Sequence, residues 1–402
     1  MLYFAYQTQS DMMAPVRAWA SIALAAGAQP LLGDDVQRNL SAAYELISRA
    51  GLTHTRPPFG ISHVNVGNRE VEVREEPAAR TPFGTLLHFK KDVAVAQPRV
   101  LVVAPLSGHF ATLLRATVRT LLPEHDVFIT DWHNARDVPI TAGRFGIDEY
   151  VEHLIKYLEV LGPGSHVLAV CQPCVAVLCA VALMAQSGNP AQPRSMTLMA
   201  GPIDCRVNPT KVNELANKRD IAWFERMLTA TVPMRYPGAF RHVYPGFVQL
   251  AAFMTMNIDR HVKAHKELYD NLANGELEKA ATTKAFYDEY FAVLDLTAEF
   301  YLETVRHIFQ EYALPLGRLK WRGETIDPGA IRRTMLLTVE GERDDICAVG
   351  QTVAAHDLCR KLRPYLKRHH MQAGVGHYGV FSGKRWENQV YPIVKNVILS
   401  SN

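Results

Sequence analysis

The 402-residue sequence predicts an α/β fold built on a mostly parallel sheet, interrupted once by a helical insertion. Three observations carry this. Short apolar runs recur without polar alternation, as strands buried on both faces do. Helical patterns separate most of them. Between Pro202 and Thr325 such runs stop and long, aromatic-rich helical patterns take over.

In chain order, residues 1–50 read as two helices, Ala14 to Ala26 and Asp34 to Ala50, from Ala content and helical spacing of apolar residues. From Thr53 to Asp92, Val64-Asn-Val66 and Glu70-Val-Glu-Val-Arg74 alternate between Gly and Pro punctuation, which predicts short antiparallel strands. The buried-strand runs are Val100–Val103, Asp126–Thr130, His166–Val170, Met196–Met199 and Met335–Val339. Helices are expected over Lys211 to Leu228, Phe247 to Asn274 and Lys284 to Tyr312. The organisation expected is therefore N-terminal helices plus the first part of a sheet core (1–201), a helical cap (202–325) and the rest of the core (326–402).

Composition narrows the function classes. With 48% hydrophobic and 21% charged residues the chain can bury a sizeable core. Lys plus Arg number 43 against 40 Asp plus Glu, a net charge of +3, so no electrostatic grip on nucleic acid is expected. Val167 to Ala185 approaches spanning length but contains Gln172 and Pro173, so no membrane span is expected. Six cysteines, three of them in one apolar stretch, suit a reducing compartment. Asp11 and Pro15 precede the Ala18 to Ala26 run and the first basic residue is Arg17, so no secretory signal is expected and the protein reads as cytoplasmic.

The chemistry points to Ser165-His-Val-Leu-Ala-Val-Cys171-Gln-Pro-Cys174. A buried strand ends at Cys171 and an apolar helix begins about a residue later, the setting of a nucleophile elbow. Ala169 and Pro173 stand where glycines are usual. A helix N-terminus at that turn favours thiolate, the nucleophilic form. Cys174 and Cys179 read as buried small apolar residues, and Cys171-Gln-Pro-Cys174 lacks a second ligand pair nearby, so no metal site is expected. An elbow enzyme takes its acid and then its base later in the chain. Asp344, three residues beyond Gly341 after a buried strand, is the chosen acid, with Asp345 and Asp204 as rivals. His377, in Met371-Gln-Ala-Gly-Val-Gly-His377-Tyr-Gly, is the base. Oxyanion donors are expected at the backbone of Gln172 and at Ser107 or Leu106, in the loop after Val103. His109 is a candidate for the pocket wall, with a packing role as the alternative.

Several segments together resemble the intracellular polyhydroxyalkanoate (polyhydroxybutyrate) depolymerases. They are the elbow Val170-Cys-Gln-Pro173, the loop Pro105-Leu-Ser-Gly-His-Phe-Ala-Thr-Leu-Leu-Arg115, the stretch Ile129-Thr-Asp-Trp-His-Asn-Ala-Arg-Asp-Val-Pro139, and Gly201-Pro-Ile-Asp-Cys-Arg-Val-Asn-Pro-Thr210. The resemblance implies an α/β-hydrolase fold and hydrolysis of storage polyester on cytoplasmic granules. It also implies a Cys-Asp-His triad, matched by Cys171, Asp344 and His377, with no role for Cys174. No cofactor is implied. The expected partners are the granule surface and 3-hydroxybutyrate oligomers, and the oligomeric state is left open. The alternatives are a polyester synthase running the reverse acyl chemistry, a granule-binding protein on a dead hydrolase fold, and a small-ester hydrolase.

Overall fold

The structure, a computed structural model of the chain, describes residues 2–27, 33–93, 96–256 and 258–402. Two helices come first, α1 (Leu2–Ala26) and α2 (Asp34–Arg49). A nine-stranded sheet follows, begun by β1 (His63–Val66), β2 (Arg69–Arg80) and β3 (Gly84–Lys91). It continues with β4 (Arg99–Val103), β5 (Asp126–Trp132), β6 (His166–Val170) and β7 (Ser195–Met199). Helices α3 (Arg115–Leu121), α4 (Ile147–Leu161) and α5 (Pro173–Gln186) are interspersed with these.

After β7 the chain leaves the sheet. Helices α6 (Lys211–Asn217) and α7 (Ile221–Leu228) lead to the short strands β8 (Ala230–Thr231) and β9 (His242–Tyr244). Then come α8 (Gly246–Met256), α9 (Ile258–Ala273) and α10 (Leu277–Tyr290), followed by β10 (Leu296–Thr297), which completes a small sheet with β8 and β9. Helix α11 (Ala298–Thr304) and the hairpin β11 (Lys320–Trp321) with β12 (Glu324–Thr325) end the excursion. The chain rejoins the main sheet as β13 (Met335–Gly341) and β14 (Lys367–Gln372). Short helical turns α12 (Ala355–Leu358) and α13 (Gly383–Arg385) precede the closing helix α14 (Tyr391–Ser401).

The main sheet runs β1-β2-β3-β5-β4-β6-β7-β13-β14, antiparallel from β1 through β5 and parallel from β5 to β14. Setting aside the added hairpin strand β1, this is the strand order of an α/β-hydrolase. The non-alternating runs have a simple cause. Leu101, Val103, Val167, Ala169 and Leu336 face one core layer with α4 and α5. Val100, Val102, Leu168, Val170, Leu337 and Val339 face the other, with α3 and α14. Neither side of these strands meets water, so apolar residues occupy both faces and the few polar ones, such as Thr338 and Glu340, are buried with them.

Several expectations need correction. Helix α1 begins at Leu2, not Ala14, and passes through Pro15 without ending. It packs on the excursion rather than on the sheet: Tyr3 is buried beside Tyr236 and Phe247, and its hydroxyl donates to Asp295. The expected absence of strands between 202 and 325 fails at the small sheet and the hairpin, whose strands are only two or three residues long and too short for periodicity to register. The long helices are divided. Asp220 caps α7 through the Trp223 N–H at 2.8 Å, and the stretch Ala292–Thr297 interrupts Lys284 to Tyr312. Phe247 to Asn274 is split between α8 and α9, with residue 257 outside the described residues. Lastly, β14 has no counterpart among the expected strands. Its sequence, Lys-Arg-His-His-Met-Gln, is polar because it forms the edge beyond β13.

Candidate active site

The site is assembled where parallel strands end. β6 is buried along its whole length, and Cys171 follows with φ 67°, left-handed backbone that a residue with a Cβ adopts at a cost of about 1–2 kcal/mol. The turn is held by the Cys171 N–H donating to the Met199 carbonyl (2.8 Å) and by the Cys174 N–H donating to the Cys171 carbonyl (3.1 Å). Gln172 stands at the N-terminal boundary of α5 without a capping hydrogen bond and Pro173 opens the helix, so the helix dipole favours negative charge at that turn. Cys171 is half-buried, whereas Cys174 and Cys179 are fully buried. Burial pushes the Cys174 thiol well above its ordinary pKa, and its Sγ lies 3.5 Å from the carbonyls of Ala169 and Met199.

The small residue that the elbow lacks at its own flanks is supplied from the neighbouring strand. A Cβ on Gly201 would stand 2.2 Å from the Cys174 Cβ and 3.1 Å from the Cys171 carbonyl oxygen. Gly201 follows Ala200, itself at φ 49°, and its N–H donates to Thr352 Oγ1 at 2.9 Å. Thr352 is fixed in turn by buried Glu340, whose carboxylate accepts from the N–H groups of Gly350, Thr352 and Val353. Gly201→Ala is therefore expected to lower stability by about 1–3 kcal/mol through overpacking and to lower activity with it. Thermal denaturation followed by circular dichroism checks this, and an unchanged midpoint would contradict it.

Asp344 and His377 meet. The Asp344 Oδ2 lies 2.7 Å from His377 Nδ1, and its Oδ1 accepts from the N–H groups of Ile346 (2.9 Å) and Cys347 (2.8 Å). Both residues are buried. Burial alone would push the His377 pKa down. Negative charge at Cys171 and Asp344, with hydrogen bonds to both, outweighs it and holds the imidazole well above its ordinary value. Asp345 is exposed. Asp204 spends both oxygens on Arg206, at 2.9 Å to Nε and 2.7 Å to the guanidinium tip, which hold it below the usual carboxylate range against the opposing effect of burial. The structure thus brings Asp344, and neither rival, to His377.

The loop after β4 carries Leu106, buried, and Ser107, half-buried. Its start is held by the Ala104 N–H on Thr130 Oγ1 (2.9 Å) and the Trp132 indole on the Ala104 carbonyl (3.1 Å). Gly108 sits at φ 91°, and a Cβ there would meet the Gln249 Cγ of α8 at 2.7 Å, so the excursion rests directly on this loop. The Leu294 N–H donates to the Gly108 carbonyl (3.0 Å), and His109 bridges to Val293. Among the described residues, the backbone N–H groups of Leu106, Ser107 and Gln172 have no hydrogen-bond partner.

His109 does not line the cavity beside the site. It is buried one layer behind, its Nε2 3.2 Å from the Tyr290 carbonyl and its ring against Phe253 and Tyr290. Burial lowers its pKa to about 4, which leaves a neutral packing group. The cavity itself, about 260 Å³, lies between the excursion and the loops bearing Asp344 and His377, with Tyr378 and Ile346 on its floor. Sequence reasoning missed Gly201, Thr352, Glu340 and Tyr378. Only Glu340, an acid inside an otherwise apolar strand, left a signal. No group of His, Cys, Asp and Glu that could hold a metal occurs among the described residues.

Comparison with known proteins follows the same line. A family profile described as "PHB de-polymerase C-terminus" matches residues 200–402. No curated protein matches the chain. Solved structures similar to it include a thermophilic esterase from Thermogutta terrifontis (13% identity, TM-score 0.41, 84% of this chain and 98% of that one). Another is a meta-cleavage product hydrolase from Pseudomonas fluorescens (13%, 0.43, 85% and 98%). A third is a monoacylglycerol lipase from Paleococcus ferrophilus (12%, 0.41, 76% and 97%). The profile spans half the chain, including β13, Asp344 and His377, and on an α/β-hydrolase sheet it makes the protein a member of the PHB depolymerase family of ester hydrolases.

Proposed function

We propose that the protein is an intracellular poly(3-hydroxybutyrate) depolymerase that cleaves granule polyester in the cytoplasm through a Cys171-His377-Asp344 triad and a thioester acyl-enzyme. The observation that supports this most is one juxtaposition. A strained, half-buried cysteine at the head of a buried helix adjoins a histidine whose other nitrogen is held by a buried carboxylate at 2.7 Å.

The steps follow from these positions. His377 Nε2, turned to Cys171 because Nδ1 is engaged by Asp344, holds the proton given up by Cys171 while the thiolate Sγ attacks the ester carbonyl carbon. The oxyanion is met by the backbone N–H of Gln172 and that of Ser107 or Leu106. The intermediate collapses, and the leaving alkoxide takes the proton back from His377. Water, deprotonated by the same imidazole, then attacks the thioester, releases a carboxylic acid and returns the thiol. In this scheme residues 202–325 act as a cap and 1–201 with 326–402 as the core. The exposed cap aromatics available to a granule are Phe240 and Phe286, because the other Phe, Tyr and Trp residues of 202–325 are half-buried or buried.

Incubation with amorphous poly(3-hydroxybutyrate) granules tests the assignment. Released 3-hydroxybutyrate acids, detected by mass, are expected with and without added thiol. Granules left intact, or polymer made from 3-hydroxybutyryl-coenzyme A, would contradict it.

A further inference from the structure

The cavity beside the triad has a composition that the proposed chemistry does not require. Its walls are Phe253 of α8 and Phe286 and Tyr290 of α10, and its floor is Ile346 and Tyr378. Ile346 donates its N–H to Asp344, and Tyr378 directly follows His377, so the cavity adjoins the two loops that carry the acid and the base. Into this aromatic space α9 brings a single guanidinium, Arg260.

Three features set Arg260 apart from an ordinary surface cation. It shares the cavity wall with Tyr287, Tyr290 and Tyr378, and its charge lowers the pKa of each hydroxyl against the opposing effect of burial. Among the described residues it makes no ion pair, although Lys263, one turn on, pairs with Glu267 at 3.7 Å. Asp345, whose charge also reaches Tyr378, is no exception. The adjacent His261 adds no charge: burial, Arg260 and His265 lower its pKa, and its Nδ1 lies 3.0 Å from the Tyr287 hydroxyl. The cavity therefore offers an apolar, aromatic wall and one uncompensated positive charge.

We propose that Arg260 binds the free carboxylate of a short hydroxyacyl ester chain lying in this cavity, so that the site selects oligomers and acid-terminated chain ends over chain interiors. This rests on the ester-hydrolase function proposed above and adds the substrate class. An internal polyester segment is neutral and gains nothing from a guanidinium, whereas a terminal carboxylate accepts two parallel N–H bonds from it. At about 260 Å³ the cavity lies at the small end of ligand sites, which suits a short segment of chain. Arg260 is exposed at the rim, so the selectivity expected is modest, about tenfold in affinity.

The test separates binding from turnover. Calorimetry on the full chain carrying Cys171→Ala compares the linear 3-hydroxybutyrate trimer as free acid and as methyl ester. The acid is expected to bind about tenfold tighter. Adding Arg260→Gln should abolish that advantage and leave methyl-ester binding unchanged, while Arg260→Lys keeps part of it. Equal affinity for acid and ester with Arg260 present, or an equal loss for both on Arg260→Gln, would overturn the proposal. Acid-selective binding by a protein that hydrolyses neither trimer with Cys171 intact would uphold the carboxylate site and overturn the reaction.

Discussion

Replacing Cys171 by Ala is expected to remove turnover of every ester the protein cleaves, a fall of several orders of magnitude, while Cys174→Ala keeps most of it. The two thiols are one helical turn apart and share a strand–helix junction, yet their surroundings differ. Cys171 is half-buried, at φ 67°, beside His377. Cys174 is sealed between β6, β7 and Gly201, its Sγ on two backbone carbonyls. A buried thiol with a strongly raised pKa carries almost no thiolate at neutral pH. Iodoacetamide should label Cys171 first for the same reason. Loss of activity in Cys174→Ala with Cys171→Ala still active would mean that the elbow is misplaced by one turn.

The second large effect is at the acid. Asp344→Asn is expected to lower turnover about 10⁴-fold, because an amide in that position no longer holds the Nδ1–H tautomer or balances the imidazolium that forms. Asp345→Asn and Asp204→Asn should each stay near the parent rate. Asp345 is exposed, and Asp204 is closed on Arg206. The Asp344→Asn change alters one hydrogen bond and keeps the shape, and the Ile346 and Cys347 N–H groups still find the side-chain oxygen. A kinetic loss without a matching loss of thermal stability is therefore the expected pattern. Equal, mild effects at all three positions would count against an acid in this loop.

What could be read from the sequence follows burial and locality. The parallel strands were legible because both their faces are covered, which leaves an apolar run with no alternation. β14 was not, since an edge strand of Lys, Arg and His has no such signature. In the excursion helical content and several outer ends were legible, Lys211 and Leu228 among them, but the breaks inside the long helical stretches were not. The cap at Asp220 is a local signal that the long aromatic pattern overrode. The site residues stand in short motifs at strand ends, where turn chemistry and chain order single them out. Gly201 against Cys174 and Gly108 against Gln249 are contacts between distant segments, Arg260 and Tyr378 line one cavity from distant segments, and no spacing along the chain encodes these placements.

The central claim is that the acyl group passes through the Cys171 sulfur. Acid-quenching the protein during turnover of a short 3-hydroxybutyrate oligomer, then measuring intact and peptide masses, tests it directly. The expected result is a hydroxybutyryl increment on the peptide containing Cys171, removed by hydroxylamine and absent in Cys171→Ala. Turnover with no adduct in that peptide, or an adduct carried by Cys174 or by a serine, would contradict it.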